Sequence, residues 1–157
     1  MTKSKTWTQK GFTYIELLMT MGILVILISM VIINLNPAQQ FAQARNTQRI
    51  SDINAIVIAV TQRTADHQMG FEEDCSVGAI PAIAVKMTSD VGGYNIASCL
   101  VPTYLSLLPF DTKAPGAHYT NSTDYDTGYY IQKSAVTGRT TITAPSAELG
   151  QTISVAQ

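Results

Sequence analysis

From Ile15 to Leu35 the chain runs for 21 residues, IELLMTMGILVILISMVIINL, and the only formal charge among them is Glu16. As an α-helix at about 1.5 Å per residue the stretch is about 31 Å long, which matches a bilayer hydrocarbon core of about 30 Å. A carboxylate near the start of such a span costs several kcal/mol unless it is paired, so Glu16 calls for a functional partner. The preceding segment, MTKSKTWTQKG, holds Lys3, Lys5 and Lys10 and no acid. Positive flanks stay cytoplasmic, which predicts an N-in, C-out orientation. An ordinary secretory signal has a shorter apolar region that ends at a small-residue cleavage site. Here the apolar run is longer and the small residue, Gly11, precedes it.

Gly11, Phe12, Thr13 and Glu16, with the apolar run behind them, resemble the class III signal of type IV pilins and of their relatives, the type II secretion pseudopilins. The match covers roughly the first quarter of the chain; beyond residue 65 the likeness is to general architecture. The resemblance implies that residues 1–11 are a cytoplasmic leader, removed by a membrane prepilin peptidase between Gly11 and Phe12. Phe12 would then be the N-methylated first residue of the mature chain, and Glu16 its fifth. It also implies self-assembly into a homopolymeric filament, aided by pilus or secretion machinery. The precursor would sit in the cytoplasmic membrane and the product would be an extracellular or periplasmic fibre. The plainer alternative is a single-pass signal anchor that contains G-F-T-x-x-E by chance.

Each of these residue types suits the chemistry. Gly11 has no side chain, so catalytic carboxylates can approach the scissile carbonyl. The freed amine of Phe12, with an ordinary pKa of about 7.7–8.0, is a cation at the membrane surface. In a bundle of apolar helices, Glu16 of one subunit can face the amine of another. Low dielectric strengthens that attraction while desolvation offsets much of it, and removing one partner strands a charge at about 3–5 kcal/mol. Such a pair selects one axial register. Thr13 lies at i to i+3 from Glu16 and either bonds to it or back-bonds within its own helix.

The chain has 157 residues, of which 146 follow Gly11. The reading divides them into a transmembrane and assembly helix at 12–36, an amphipathic continuation at 37–65 and an extracytoplasmic head at 66–157. A head of roughly ninety residues supports one small core. Without the leader lysines, 7 Lys and Arg face 11 Asp and Glu, a balance of −4 that does not indicate a nucleic-acid partner. Cys75 and Cys99, both predicted to lie outside the cytoplasm, read as a disulfide or as two buried thiols. A bridge over this separation stabilises by about 3 kcal/mol on loop-closure entropy. His67 and His118 read as surface or cap residues, so no zinc site is expected.

In the second half of the helix, Phe41, Ile50, Ile53, Val57 and Val60 form the predicted core face. Gln39, Gln40, Gln43, Arg45, Arg49, Asp52 and Arg63 are expected largely on the other faces. Pro37 disfavours helix at Asn36 and predicts a break there, and Gly22 is a weaker point within the span. A short helix is expected over 100–108, with Pro102 in its first turn. Strand signals fall at 128–133 and 139–143 around the Thr137-Gly138 turn, with a third at 117–120 and an edge strand or loose tail at 153–155. The expected fold class is α+β, a long amino-terminal helix packed on a small antiparallel sheet of three or four strands, similar to pilins.

Asn121, Asp124 and Asp126, with Asp111, are oxygen-rich enough to suggest calcium, although such clusters more often mark turns. Asn121-Ser122-Thr123 matches a glycosylation sequon, taken as accidental behind a bacterial-type export signal. The tyrosines at 94, 104, 119, 125, 129 and 130 read as sheet core and cross-strand pairs, or as a sticky or base-stacking surface. No nucleophile motif, phosphate loop or catalytic carboxylate pair is present, so no enzyme is expected. Leu108-Pro109-Phe110-Asp111 is similar to a Leu-Pro-x-Asp step common in pseudopilins and some pilins. It keeps open a pseudopilin of a secretion or DNA-uptake system, while a monomeric membrane-anchored binding protein is a third possibility.

Overall fold

The computed structural model describes residues 11–67 and 70–157, with backbone alone for 33–35; the leader expected at 1–11 lies outside it except for Gly11. The chain divides into two compact units, one ending at Gln40 and one spanning Phe41–Gln157. The architecture is α+β. Helix α1 covers Tyr14–Leu35 and helix α2 covers Pro37–Asp66. Between them Asn36 takes a left-handed conformation, φ 42°, ψ 75°. Pro37 starts α2, where its missing N–H costs nothing.

The second unit contains five antiparallel strands and a short helix. These are β1 (Val85–Thr88), α3 (Ala97–Leu100), β2 (His118–Asn121), β3 (Asp124–Lys133), β4 (Thr140–Ala144) and β5 (Ile153–Ala156). The sheet order is β1-β3-β4-β5, and β2 pairs with the opening residues of β3. Ile131 sits opposite both Val85 and Ile142, and Val155 lies opposite Ile142. The sequence signals match β2, β4 and the second half of β3; β3 starts earlier, at Asp124, the open alternative at 153–155 is a strand, and β1 has no counterpart among them. The helix expected over 100–108 is α3, four residues long and earlier in the chain. It stops because Val101 is extended (φ −99°, ψ 134°), the geometry favoured before proline.

The core lies between the sheet and α2, where Ile53, Ile56, Val57, Ala59 and Val60 meet Phe71, Met87, Leu100, Tyr125, Tyr129, Ile131 and Ile142. Of the tyrosines, Tyr94, Tyr125 and Tyr129 are buried, and Tyr119 pairs with Tyr125 across the strands at 6.2 Å between ring centroids. Burial pushes the Tyr125 hydroxyl up to about 12.

The expected face of α2 requires correction. Phe41 and Ile50 are exposed, whereas Arg49, Asp52 and Arg63 are buried together with Asn46. Ala42, Asn46, Arg49, Ile53, Ile56, Val60 and Arg63 recur at alternating intervals of four and three, so the polar residues continue the apolar stripe. Each is satisfied. Arg49 donates Nε to Asp111 Oδ2 at 2.7 Å, Nη2 to Asp111 Oδ1 at 3.1 Å and Nη1 to Glu148 Oε2 at 3.1 Å. Burial works against the Arg49 charge, yet these bonds outweigh it and hold its pKa raised. Arg45 adds two bonds to Glu148, at 2.6 and 2.7 Å. Asn46 donates to Glu148 O and accepts from Glu148 N–H and Arg49 Nη1. Tyr129 donates its hydroxyl to Asp52 at 2.8 Å.

R49M leaves the buried Asp111 carboxylate without its partner. Urea unfolding of the full chain in detergent should show a loss of about 3–5 kcal/mol. Bonds from Arg45 and Arg49 hold the Glu148 carboxyl down at about 2, against an ordinary 4.5. A depressed carboxyl pKa contributes stability above the unfolded value and loses it as pH falls through the folded one. Wild-type stability should therefore decline between about pH 4.5 and pH 2 through this group, and E148Q should flatten that part of the profile.

Candidate functional site: the amino-terminal helix

Gly11, Phe12 and Thr13 precede the helix, with Thr13 extended at φ −83°, ψ 151°. Thr13 is the N-cap: its Oγ1 accepts the Glu16 N–H at 3.3 Å, and its carbonyl accepts the Leu17 N–H at 3.1 Å. A threonine there satisfies one of the four free amides at a helix start. Of the two alternatives for Thr13 the structure has the bond to Glu16, made to its backbone N–H and not by back-bonding. It fixes where the helix begins, three residues before the acid. Glu16 in the first turn also sits well with the positive end of the helix dipole.

Along α1 the large apolar side chains are 48–78 % exposed and are distributed all round the helix. The window Tyr14–Ile32 is long and apolar enough to cross a membrane, and an export signal near an amino terminus passes the same criterion. The aliphatic hydroxyls within it are satisfied internally, Thr20 donating to Leu17 O at 2.9 Å and Ser29 to Val25 O at 2.8 Å, and the Tyr14 side chain at its start is exposed. Of the three polar side chains between residues 15 and 32, Glu16 alone has no hydrogen bond or ion pair among the described residues. From Ile15 to Ile32 the helix therefore presents a predominantly apolar exposed surface and a single acid.

The glycines add a second observation. A Cβ at Gly11 or Gly22 would meet nothing within 4 Å, and neither residue has positive φ. The fold of the chain does not itself require glycine at either position.

Elsewhere, Cys75 and Cys99 form a disulfide with Cα atoms 5.6 Å apart. The oxygen-rich residues do not converge. Arg49 occupies both Asp111 oxygens, Asn121 Oδ1 accepts from Thr123, Asp124 bonds His118 and Asp126 pairs with Lys86. No group of three or more His, Cys, Asp or Glu side chains able to hold a metal ion occurs among the described residues. His118 is exposed, and its pKa is raised by the Gly116 carbonyl first and then by Asp124. The buried roles of Arg49 and Arg63 went unread in the sequence. Their spacing of four before Ile53 and three after Val60 was the available signal. No protein-family model, curated protein or solved structure matches the chain.

T13V removes the capping oxygen. The first turn of α1 should fray, with a loss of about 1 kcal/mol in helix stability. Amide exchange at Glu16 in micelles, compared with exchange at the centre of the helix, measures it. E16Q, which alters no contact of the carboxylate among the described residues, should leave urea unfolding of the Phe41–Gln157 unit within about 0.5 kcal/mol of wild type.

Proposed function

We propose that the chain is the structural subunit of a type IV pilus filament. It enters the cytoplasmic membrane through α1, with the leader inside and the Phe41–Gln157 unit outside. Prepilin peptidase cuts between Gly11 and Phe12, Phe12 is N-methylated, and the mature subunits polymerise through the exposed apolar helix. Glu16 carries this reading: one acid in a predominantly apolar helix, without a partner among the described residues and four residues beyond the proposed new amine. In a dry bundle that acid needs a cation, and the Phe12 ammonium of a neighbouring copy supplies it at one stagger. Gly11 fits the same account, since nothing among the described residues asks for glycine there while a peptidase active site would. The disulfide suits an oxidising compartment beyond the membrane.

A second reading, a pseudopilin of a secretion or DNA-uptake machine, draws on the Leu108-Pro109-Phe110-Asp111 step. It uses the same processing and the same helix. Long surface fibres containing this chain select the pilus, and a short periplasmic assembly selects the pseudopilus. A monomeric anchored binding protein requires neither cleavage nor polymerisation.

Mass spectrometry of the amino terminus recovered from cell envelopes should return a methylated Phe12. A bulky residue at Gly11 should leave the leader attached. E16A should insert normally and lose at least about tenfold in sheared filament yield, the order expected when one buried charge is stranded. Wild-type yield from E16A, or an uncut chain in living cells, rejects the proposal.

A further inference from the structure

Arg63, in the last turn of α2, is a buried cation without a carboxylate partner among the described residues; it is 6 % exposed. Its guanidinium is instead filled by backbone carbonyls. Nε donates to Phe71 O at 2.8 Å, Nη1 to Cys99 O at 3.0 Å and Nη2 to Glu73 O. The Phe71 and Tyr104 rings flank it, with centroids 5.5 and 6.0 Å away. These carbonyls belong to two separate segments. Phe71 and Glu73 lead into Cys75, whose N–H closes a turn onto Glu72 O, and Cys99 is itself the other half-cystine. One planar fork therefore spans both segments that the disulfide joins, and it does so through main-chain atoms that are present whether or not the sulfurs are bonded. Arginine suits this task because five donors lie in one rigid plane, whereas a lysine ammonium is a point charge that cannot reach three carbonyls in that arrangement.

We propose that Arg63 is the positioning residue for the Cys75–Cys99 disulfide: it gathers the two cysteine-bearing segments around its guanidinium, so that closing the bond and filling the fork are thermodynamically coupled. The chemistry is ordinary exchange. A thiolate of one cysteine attacks the mixed disulfide formed by the other, and the pair gives up two protons and two electrons. Glutathione disulfide, or a protein disulfide of the same class, takes them up as two thiols. Arg63 touches no reacting sulfur; it raises the effective concentration of one thiol near the other. The inference is independent of the filament reading, since it concerns the Phe41–Gln157 unit alone.

The test equilibrates the full chain in detergent micelles with glutathione buffers and counts trapped thiols by mass. R63K and R63M should both lower the oxidised-to-reduced equilibrium constant at least tenfold relative to wild type. I142V, a core change away from the fork, controls for general destabilisation and should leave the constant within twofold. By linkage, the loss of urea resistance caused by R63K should differ between the wild-type and C75S/C99S backgrounds. A constant within twofold of wild type in R63K overturns the proposal. So does an I142V shift as large as that of R63K, or strict additivity in the cycle, which also decides the matter if R63M does not fold.

Discussion

One face of α2 carries the second unit, and the Arg49 guanidinium is where that face is most demanding. A buried cation is tolerated only when its hydrogen-bonding capacity is filled in good geometry. Here the partners come from far along the chain, Asp111 before the sheet's central strand and Glu148 before its last. Satisfying Arg49 therefore sets where the 107–111 segment and the β4–β5 connection lie against the helix. Apolar packing among Ile53, Ile56, Ile131 and Ile142 supplies non-directional burial energy, while the ion network supplies direction. Arg63 plays the corresponding part at the other end of the stripe, using carbonyls instead of carboxylates. The disulfide joins the same two segments whose carbonyls that cation binds.

The first unit poses the opposite physical problem. Within α1 the Thr20 and Ser29 hydroxyls are satisfied, and the large apolar side chains from Tyr14 to Ile32 remain open. Such a helix is complete as a hydrogen-bonded object and incomplete as a packed one. Lipid can cover the apolar surface as well as other helices can, because hydrocarbon chains are as apolar as leucine. The hydrocarbon core offers Glu16 no cation, so the acid is the one group in this stretch that apolar surroundings leave unsatisfied.

Much of this organisation was legible in the residues. The apolar run, the break at Asn36-Pro37 and the hairpin around Thr137-Gly138 follow from hydropathy, proline geometry and β-branched content, and each has its counterpart in an observed element. The polar members of the α2 stripe were misassigned because charge was allowed to outweigh spacing. Residues whose partners lie 62 and 99 positions away give no local sign that they are paired. Strand β1 was missed for a related reason: Val85-Lys86-Met87-Thr88 is too short to announce itself and exists by virtue of its pairing with β3. The Glu16 site is different in kind. Its residues form a pattern in the sequence, and the structure adds that Thr13 caps the helix start and that the Glu16 carboxylate has no partner among the described residues.

The open space around Gly22 would report the approach of any helix packed against α1. Alanine is the better helix former by about 1 kcal/mol, so in a solitary chain a methyl group at this position should be welcome. In a crowded bundle the same methyl group becomes a feeler gauge. If it is accepted, the adjoining backbone stays at ordinary side-chain distance; if it is rejected, two helices cross there almost in contact.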